Sequence, residues 1–384
     1  MNATVWKFFG ALLVAWLFVS CSDDARANGG IWDETQNTLA VRVLTASGTP
    51  AENARVRLVT GTASVEDSAY SDVSGIARLK RPSQNGFVEI EERSGVAREN
   101  IQADDSILVG TLQSPKELLG TLSLGAGELP QRLYLYGTSY VADVSVSGEF
   151  AFREIPAGEY AVLAKSDGEY VYWGASNASS DSSVNVFFSE PSFDSVLVDD
   201  FEVESGTNRF HALTGASWWF TSADSLSRVD PSLPAKAYVR SSESFLESRS
   251  AHFSFTVDSS AGAFALCGFD IGVSQWQDST TSYDMSKTDS VTFYIRGSGH
   301  IVMQFTGFDE DGNIGRWDFE FDIPSAMDWT RVSVPPKGNE DWEKIKSRMR
   351  TVTFLSTEDT DLWLDQIVFH GVSAQDLFRD LLNR

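Results

Sequence analysis

The sequence predicts an all-β protein in which two small β-sandwiches precede a larger β-jelly roll. Three observations predict it. Apolar and polar residues alternate with period two through most of the chain beyond residue 37, the spacing of half-buried strands. Turns bearing Gly, Pro or Asn punctuate these runs at roughly ten-residue intervals. Helical spacing is confined to "NEDWEKIKSRM" and the terminal "SAQDLFRDLLNR".

The chain opens with "MNATVWKFFGALLVAWLFVSC", where Lys7 precedes an uncharged apolar stretch, residues 8–19. That stretch has the length of a signal-peptide core and falls short of the ~20 residues that cross a bilayer. Ser20 and Cys21 follow it, and Cys21 is one of only 2 cysteines. The arrangement resembles the lipobox of bacterial lipoproteins, which implies cleavage after residue 20 and acylation of Cys21. Phe18 and Val19 depart from that family's preference for leucine and a small residue, so an ordinary signal peptide or signal anchor is the other reading. Ser22, Asp23 and Asp24 resemble signals for sorting to the outer membrane and onward to the cell surface. Residues 21–36, small, polar and acidic, read as a flexible tether. Cys267, in "FALCGFDIG", reads as a small buried hydrophobe. With Cys21 acylated, no disulfide and no cysteine-based metal site can form.

Residues 37–110 form the first sandwich. Leu39, Val41 and Val43 alternate, a turn "SGTPAEN" follows, and Val56 and Leu58 resume the pattern. The element Gly48, Pro50, Ala54, Val56, Leu58 and the turn from Ser71 to Ala77 resemble the carboxypeptidase regulatory-like domain, a transthyretin-like sandwich. A second module of this Ig/transthyretin-like kind is expected at 117–174, marked by Gly148, Phe150, Phe152, Pro156, Gly158 and Tyr160. Residues 175–192, with "GASNASSDSSVN" across their start, read as a Ser-rich linker. Such modules imply a spacer.

Residues 193–384 hold the aromatic-rich jelly roll. Its opening "LVDDFE", "DMSKTDSVTFYIRGSG", "DWTRVSVPP" and closing "LWLDQIVFHG" occur in order from end to end. Together they resemble carbohydrate-binding module family 11, a galactose-binding-like jelly roll. The resemblance implies polysaccharide binding, with a β-glucan as ligand and secreted glycoside hydrolases as neighbours. A pyranose offers C–H groups on one face and hydroxyls at its rim, which suit flat aromatic rings and planar polar groups.

Trp218 and Trp219 are adjacent, so on a strand they face opposite ways, and Trp219 is named for the cleft. Trp276 lies in the polar loop "VSQWQDSTTSYD" with no strand to bury it. Trp317 alternates with Phe319 and Phe321 and could serve the cleft or the core. Gln304 opposes Met303 and Phe305 and could reach a sugar hydroxyl, and Tyr294 and Arg296 share the face away from Phe293 and Ile295. Trp329, Trp342 and Trp363 are expected in packing roles. The resemblance also implies a structural Ca²⁺ between first and last strands, for which Asp200, Glu202 and Asp365 are the matching carboxylates; acids at strand ends facing water are the bland alternative. "DEDGN" at 309–313 reads as a hairpin turn.

The formal net charge of −24 argues against nucleic-acid or anionic-lipid partners. The sequence has no zinc-protease helix, nucleophile elbow or phosphate loop. Asp318, Glu320 and Asp322 share one strand face, but the second glutamate of the common glucanase signature is lacking. The expectation is a non-catalytic, outer-membrane lipoprotein that binds polysaccharide. An adhesion or scaffold protein without sugar affinity is the alternative, and a jelly-roll glycosidase stands behind both.

Overall fold

Residues 37–125, 128–178, 185–202, 206–232, 239–241, 244–246, 249–272 and 282–382 are described in a computed structural model. Cys21, the tether and Trp276 lie outside the described residues. The first seven strands are β1 (Thr38–Leu44), β2 (Arg55–Gly61), β3 (Ser64–Tyr70), β4 (Ile76–Lys80), β5 (Gly86–Glu92), β6 (Gly95–Ile101) and β7 (Ile107–Thr111). They build a sheet β4-β1-β7 that faces a sheet β3-β2-β5-β6. Leu39, Val41 and Val43 from one sheet meet Val56, Leu58, Val88 and Ile90 from the other, all fully buried. Period-two alternation produces this directly, because every second side chain of a strand enters the core. Ser71 binds the two motif pieces together: its hydroxyl donates to the Ala51 carbonyl (2.6 Å) and accepts from the Ala54 amide (2.9 Å). Gly75 has φ +75°, and a Cβ there would stand 2.6 Å from the Val43 carbonyl oxygen, so only glycine closes that turn.

The next seven strands repeat this plan. They are β8 (Lys116–Ser123), β9 (Arg132–Leu135), β10 (Val141–Asp143), β11 (Glu149–Ile155), β12 (Gly158–Ser166), β13 (Glu169–Ala178) and β14 (Asn185–Ser189). Their sheets, β11-β8-β14 and β10-β9-β12-β13, match the first module strand for strand. In both modules the first strand pairs antiparallel with the fourth and parallel with the seventh. The stretch read as a linker therefore contains β14, whose Phe188 packs into this core. Residues 174–178 of the Ser-rich run that suggested a linker belong to β13, and residues 179–184 lie outside the described residues.

The remaining strands are β15 (Ser195–Asp199), β16 (Trp219–Ala223), β17 (Arg228–Asp230), β18 (Val239–Ser241), β19 (Ser250–Thr256), β20 (Ala265–Asp270), β21 (Ser290–Ser298), β22 (His300–Phe308), β23 (Ile314–Asp322), β24 (Thr330–Val334), β25 (Met349–Ser356) and β26 (Thr360–His370). Among the described residues three α-helices accompany them: α1 (His211–Thr214), α2 (Glu340–Ile345) and α3 (Ala374–Leu382). A five-stranded sheet β16-β20-β25-β22-β23 packs on a seven-stranded sheet built along β17-β19-β26-β21-β24, with β15 on β26 and β18 on β19. Trp342 and Ile345 of α2 are buried in the core, and residues 309–313 form the β22–β23 hairpin turn, where the Asp309 amide donates to the Asn313 carbonyl at 2.9 Å.

The jelly-roll core continues into the second sandwich. Ala161, Leu163, Tyr172 and Ala175 join Phe210, Leu377 and Phe378 in one apolar cluster. The Tyr172 hydroxyl donates to the Arg209 carbonyl (3.0 Å), and the Arg209 guanidinium donates to the Ala175 carbonyl (3.0 Å).

Candidate functional site

Hydrogen-bond register lays residues of the five-stranded sheet in rows. One row is Trp219, Phe269, Val352, Phe305 and Trp317, and it faces the core throughout. The adjacent row, Phe220, Gly268, Thr353, Gln304 and Asp318, faces outward. At ~4.8 Å between strands, five strands carry such a row over about 19 Å. Beside it lie Thr351, Thr306 and Arg316 on one flank and Leu355, Val302 and Glu320 on the other.

The outward face is polar but sheltered. Gln304 is 8% exposed, and Thr353 donates to its Oε1 at 3.3 Å. Arg316 Nε lies 2.9 Å from the Asp318 carboxylate. Asp270, at the end of β20, is 5% exposed, and burial pushes its carboxyl up to about 7 against the pull of Arg350. Phe220 ends the row, and Trp218, 41% exposed, stands two residues before it in the chain. Amide, hydroxyl, carboxylate and guanidinium groups thus form a platform of donors and acceptors, with rings only at its edge.

Trp219 and Trp317 do not line this platform. Trp219 is fully buried, and its indole N–H donates to Asp199 Oδ2 at 2.8 Å. Phe201, Phe253 and Phe269 pack around it. Trp317 is 6% exposed, stacked on Phe305 and edge-on to Trp342. Strand parity could establish that Trp218 and Trp219 diverge and that Trp317 shares a face with Phe319, but not which face is inside.

Tyr294 and Arg296 point outward from the seven-stranded sheet, on the opposite side of the domain from Gln304. The candidates Gln304, Tyr294 and Arg296 are therefore not one site. Tyr294 stacks on Phe245 with centroids 3.4 Å apart. The Arg296 guanidinium lies 4.3 Å from the Trp363 ring centre and 5.1 Å from that of Trp329. His252 covers Trp363 at 3.9 Å and shares a 2.6 Å contact with Asp361. These rings, expected to pack in the core, form a surface ladder whose faces are already covered. The signal was present in "DLWLD", where Leu362 and Leu364 inside require Trp363 outside.

The acids proposed for Ca²⁺ separate. Both Asp200 oxygens are held by Arg209, through a 2.9 Å bond from Nε and a contact from the terminal nitrogen, so Asp200 is removed from the set. Asp365 Oδ2 accepts from the amides of Phe245 (2.8 Å) and Leu246 (3.3 Å), while its Oδ1 is buried with no hydrogen-bond partner. Glu202 Oε1 accepts from the Arg249 amide at 2.6 Å, at the other end of the same loop. Asp365 and Glu202 are hard oxygen donors of the type a calcium ion takes, and each accepts backbone amides from residues 245–249. Among the described residues no three His, Cys, Asp or Glu side chains converge as a metal cage.

Asp318, Glu320 and Asp322 share the outward face of β23, as the alternation predicts. His300 stands between two of them, 2.9 Å from Asp322 and 3.9 Å from Glu320.

Fold and face define a β-protein of two sandwiches joined to a two-sheet jelly roll with a polar outer platform. No family model matches the chain, and no curated protein does. Among solved structures it is similar to the family 11 carbohydrate-binding module of the cellulosomal cellulase Lic26A-Cel5E of Clostridium thermocellum, at 13% identity, 47% of this chain, 96% of that chain and a TM-score of 0.34. It is also similar to the CBM22-1 xylan-binding domain of Paenibacillus barcinonensis Xyn10C, at 11% identity, 48% of this chain, 99% of that chain and a TM-score of 0.28.

Proposed function

We propose that this chain is a non-catalytic polysaccharide-binding lipoprotein, which holds a neutral β-linked glucan along the outer face of its five-stranded sheet. The row Phe220, Gly268, Thr353, Gln304, Asp318 carries the reading. Its polar part, Thr353, Gln304 and Asp318, spans three adjacent strands, about 10 Å at ~4.8 Å per step, and the −24 charge places no penalty on an uncharged ligand. Hydrogen bonds, more than ring stacking, lead this mode of binding. Lipid on Cys21 would tether the chain to the outer membrane, facing secreted glycoside hydrolases.

Affinity electrophoresis of the full chain in soluble mixed-linked glucan and in xylan tests the reading. Retardation is expected, and Gln304→Ala with Asp318→Ala should weaken binding at least several-fold, at about 1 kcal/mol per hydrogen bond. No retardation in any polysaccharide leaves an adhesion or scaffold protein; release of reducing ends overturns the non-catalytic part. Labelled palmitate should enter the native chain and not Cys21→Ala.

A calcium ion at Asp365 and Glu202 would supply charge to the buried carboxylate and hold the backbone at Phe245, Leu246 and Arg249. Chelation should then lower the melting temperature of the native chain and leave Asp365→Ala unmoved. Equal melting with and without chelator removes the ion from the account.

A further inference from the structure

A further hollow of the described residues is not on either sheet face. A cleft of about 910 Å³ opens where the three modules meet, lined by the 60–62 and 84–87 turns, β6, the 136–137 turn and the α1 region through Trp218. Its volume lies within the range of small-molecule sites. Thr353, Gln304 and Asp318 of the platform and the calcium residues do not contribute to it, whereas Trp218, at the platform's edge, does.

Besides the Glu159 carboxylate and the apolar Leu213 and Leu381, its walls carry two kinds of group that bear on a ligand. Trp218 is 41% exposed and is steadied by His211, whose ring meets it edge-on at 4.7 Å. His211 is held in turn by the Ala216 carbonyl. Across the cleft Phe87 lies under the Arg98 guanidinium at 3.7 Å, and Gly137 makes room for that ring, since a Cβ there would come within 2.6 Å of it. The second kind is amide. Gln84 spends its N–H on the Thr60 carbonyl (2.8 Å) and keeps its oxygen, while Asn85 spends its oxygen on the Ala103 amide (3.0 Å) and keeps its NH₂. Asn100 lines the same wall and is exposed. An oriented indole opposite side-chain donors and acceptors matches one chemical class: an uncharged ring with C–H groups on its face and hydroxyls at its rim. The −24 charge of the chain disfavours anionic ligands.

We infer that this cleft is a second saccharide site, taking a short neutral oligosaccharide that stacks on Trp218 and is hydrogen-bonded by Gln84, Asn85 and Asn100. The inference rests on the saccharide-binding reading of the chain and adds a site made by all three modules. The sandwiches are then part of the binding surface and not spacers alone.

Calorimetric titration of the full chain in detergent with β-linked glucose and xylose hexasaccharides tests it. Two sites per chain are expected. Trp218→Ala should abolish one, Trp218→Phe should restore it in part, and Asn100→Ala should weaken it several-fold; the Gln304→Ala, Asp318→Ala double variant should abolish the other. A single site insensitive to Trp218→Ala and Asn100→Ala, and lost in the double variant, overturns the cleft and keeps the platform. A single site lost in Trp218→Ala and kept in the double variant supports the cleft and overturns the platform. No heat with either hexasaccharide overturns both.

Discussion

Trp317 and Asp318 are neighbours in the chain and opposite in fate, one in the core and the other on the platform. Their divergence was legible, because alternation is a local property of a strand. The absolute side was not, since it depends on which neighbouring strand brings Phe305 over Trp317. The same gap separates Trp218 from Trp219. Asp270 was missed altogether: an acid ending a strand gives no sign in sequence that it will be buried. Its burial has a measurable consequence. With its carboxyl pushed up to about 7 from an ordinary 3.8, the native chain keeps a proton that the unfolded chain releases between about pH 4 and pH 7. Stability is thus lost as pH rises through that window, on the order of 4 kcal/mol in all. Asp199 and Asp365, also raised by burial, add slopes of the same sign. Asp270→Asn, which cannot ionise, should therefore make the fall shallower without abolishing it and exceed the native chain in stability at pH 8. Urea unfolding at pH 5 and pH 8 measures it, and parallel profiles for the two proteins would refute the assignment.

At the scale of elements, the two sandwiches show what motifs do. Gly75 and Gly148 occupy the same turn before the fourth strand of each module, and a Cβ at either would collide with a carbonyl of the first strand at 2.6 and 2.5 Å. Quoted as motif pieces, these glycines placed both turns. β14 stayed hidden because only five residues, "NVFFS", follow a serine-rich run. β12 shows a different limit. Its "YAVLA" is apolar without alternation because both faces are covered, Val162 by its own sandwich and Leu163 by the jelly roll. That run was a readable sign of a third layer. The third layer is sealed by α3, whose Phe378 packs edge-on to Phe210 (4.9 Å) and Tyr283 (5.4 Å). Phe378→Ala should cost about 3–5 kcal/mol by emptying a buried ring site. A loss under about 1 kcal/mol in thermal unfolding would mean that α3 caps the domain without holding it.

Across the whole molecule the two junctions differ in kind, and this sets how the chain comes apart. Sandwich one meets sandwich two through polar groups: Glu89, fully buried, accepts from the Ser139 amide (2.8 Å) and hydroxyl (2.5 Å) and faces Arg57 at 3.3 Å. Tyr170 adds a 3.1 Å bond to the Thr62 carbonyl. Such contacts orient two bodies but add little net free energy, because each buried charge repays its own desolvation. Sandwich two meets the jelly roll through a continuous apolar core and the Arg209 ties, which bind stability to contact. Scanning calorimetry should therefore resolve two transitions, one for residues 38–111 and one for the second sandwich and jelly roll together. Glu89→Gln should uncouple the first transition further and leave the second in place. Excised residues 193–384 should melt well below the second transition, having lost Tyr172, Ala175 and Leu163 from the core. Three separate transitions, or an excised jelly roll as stable as the joined one, would show that the shared core is contact without cohesion.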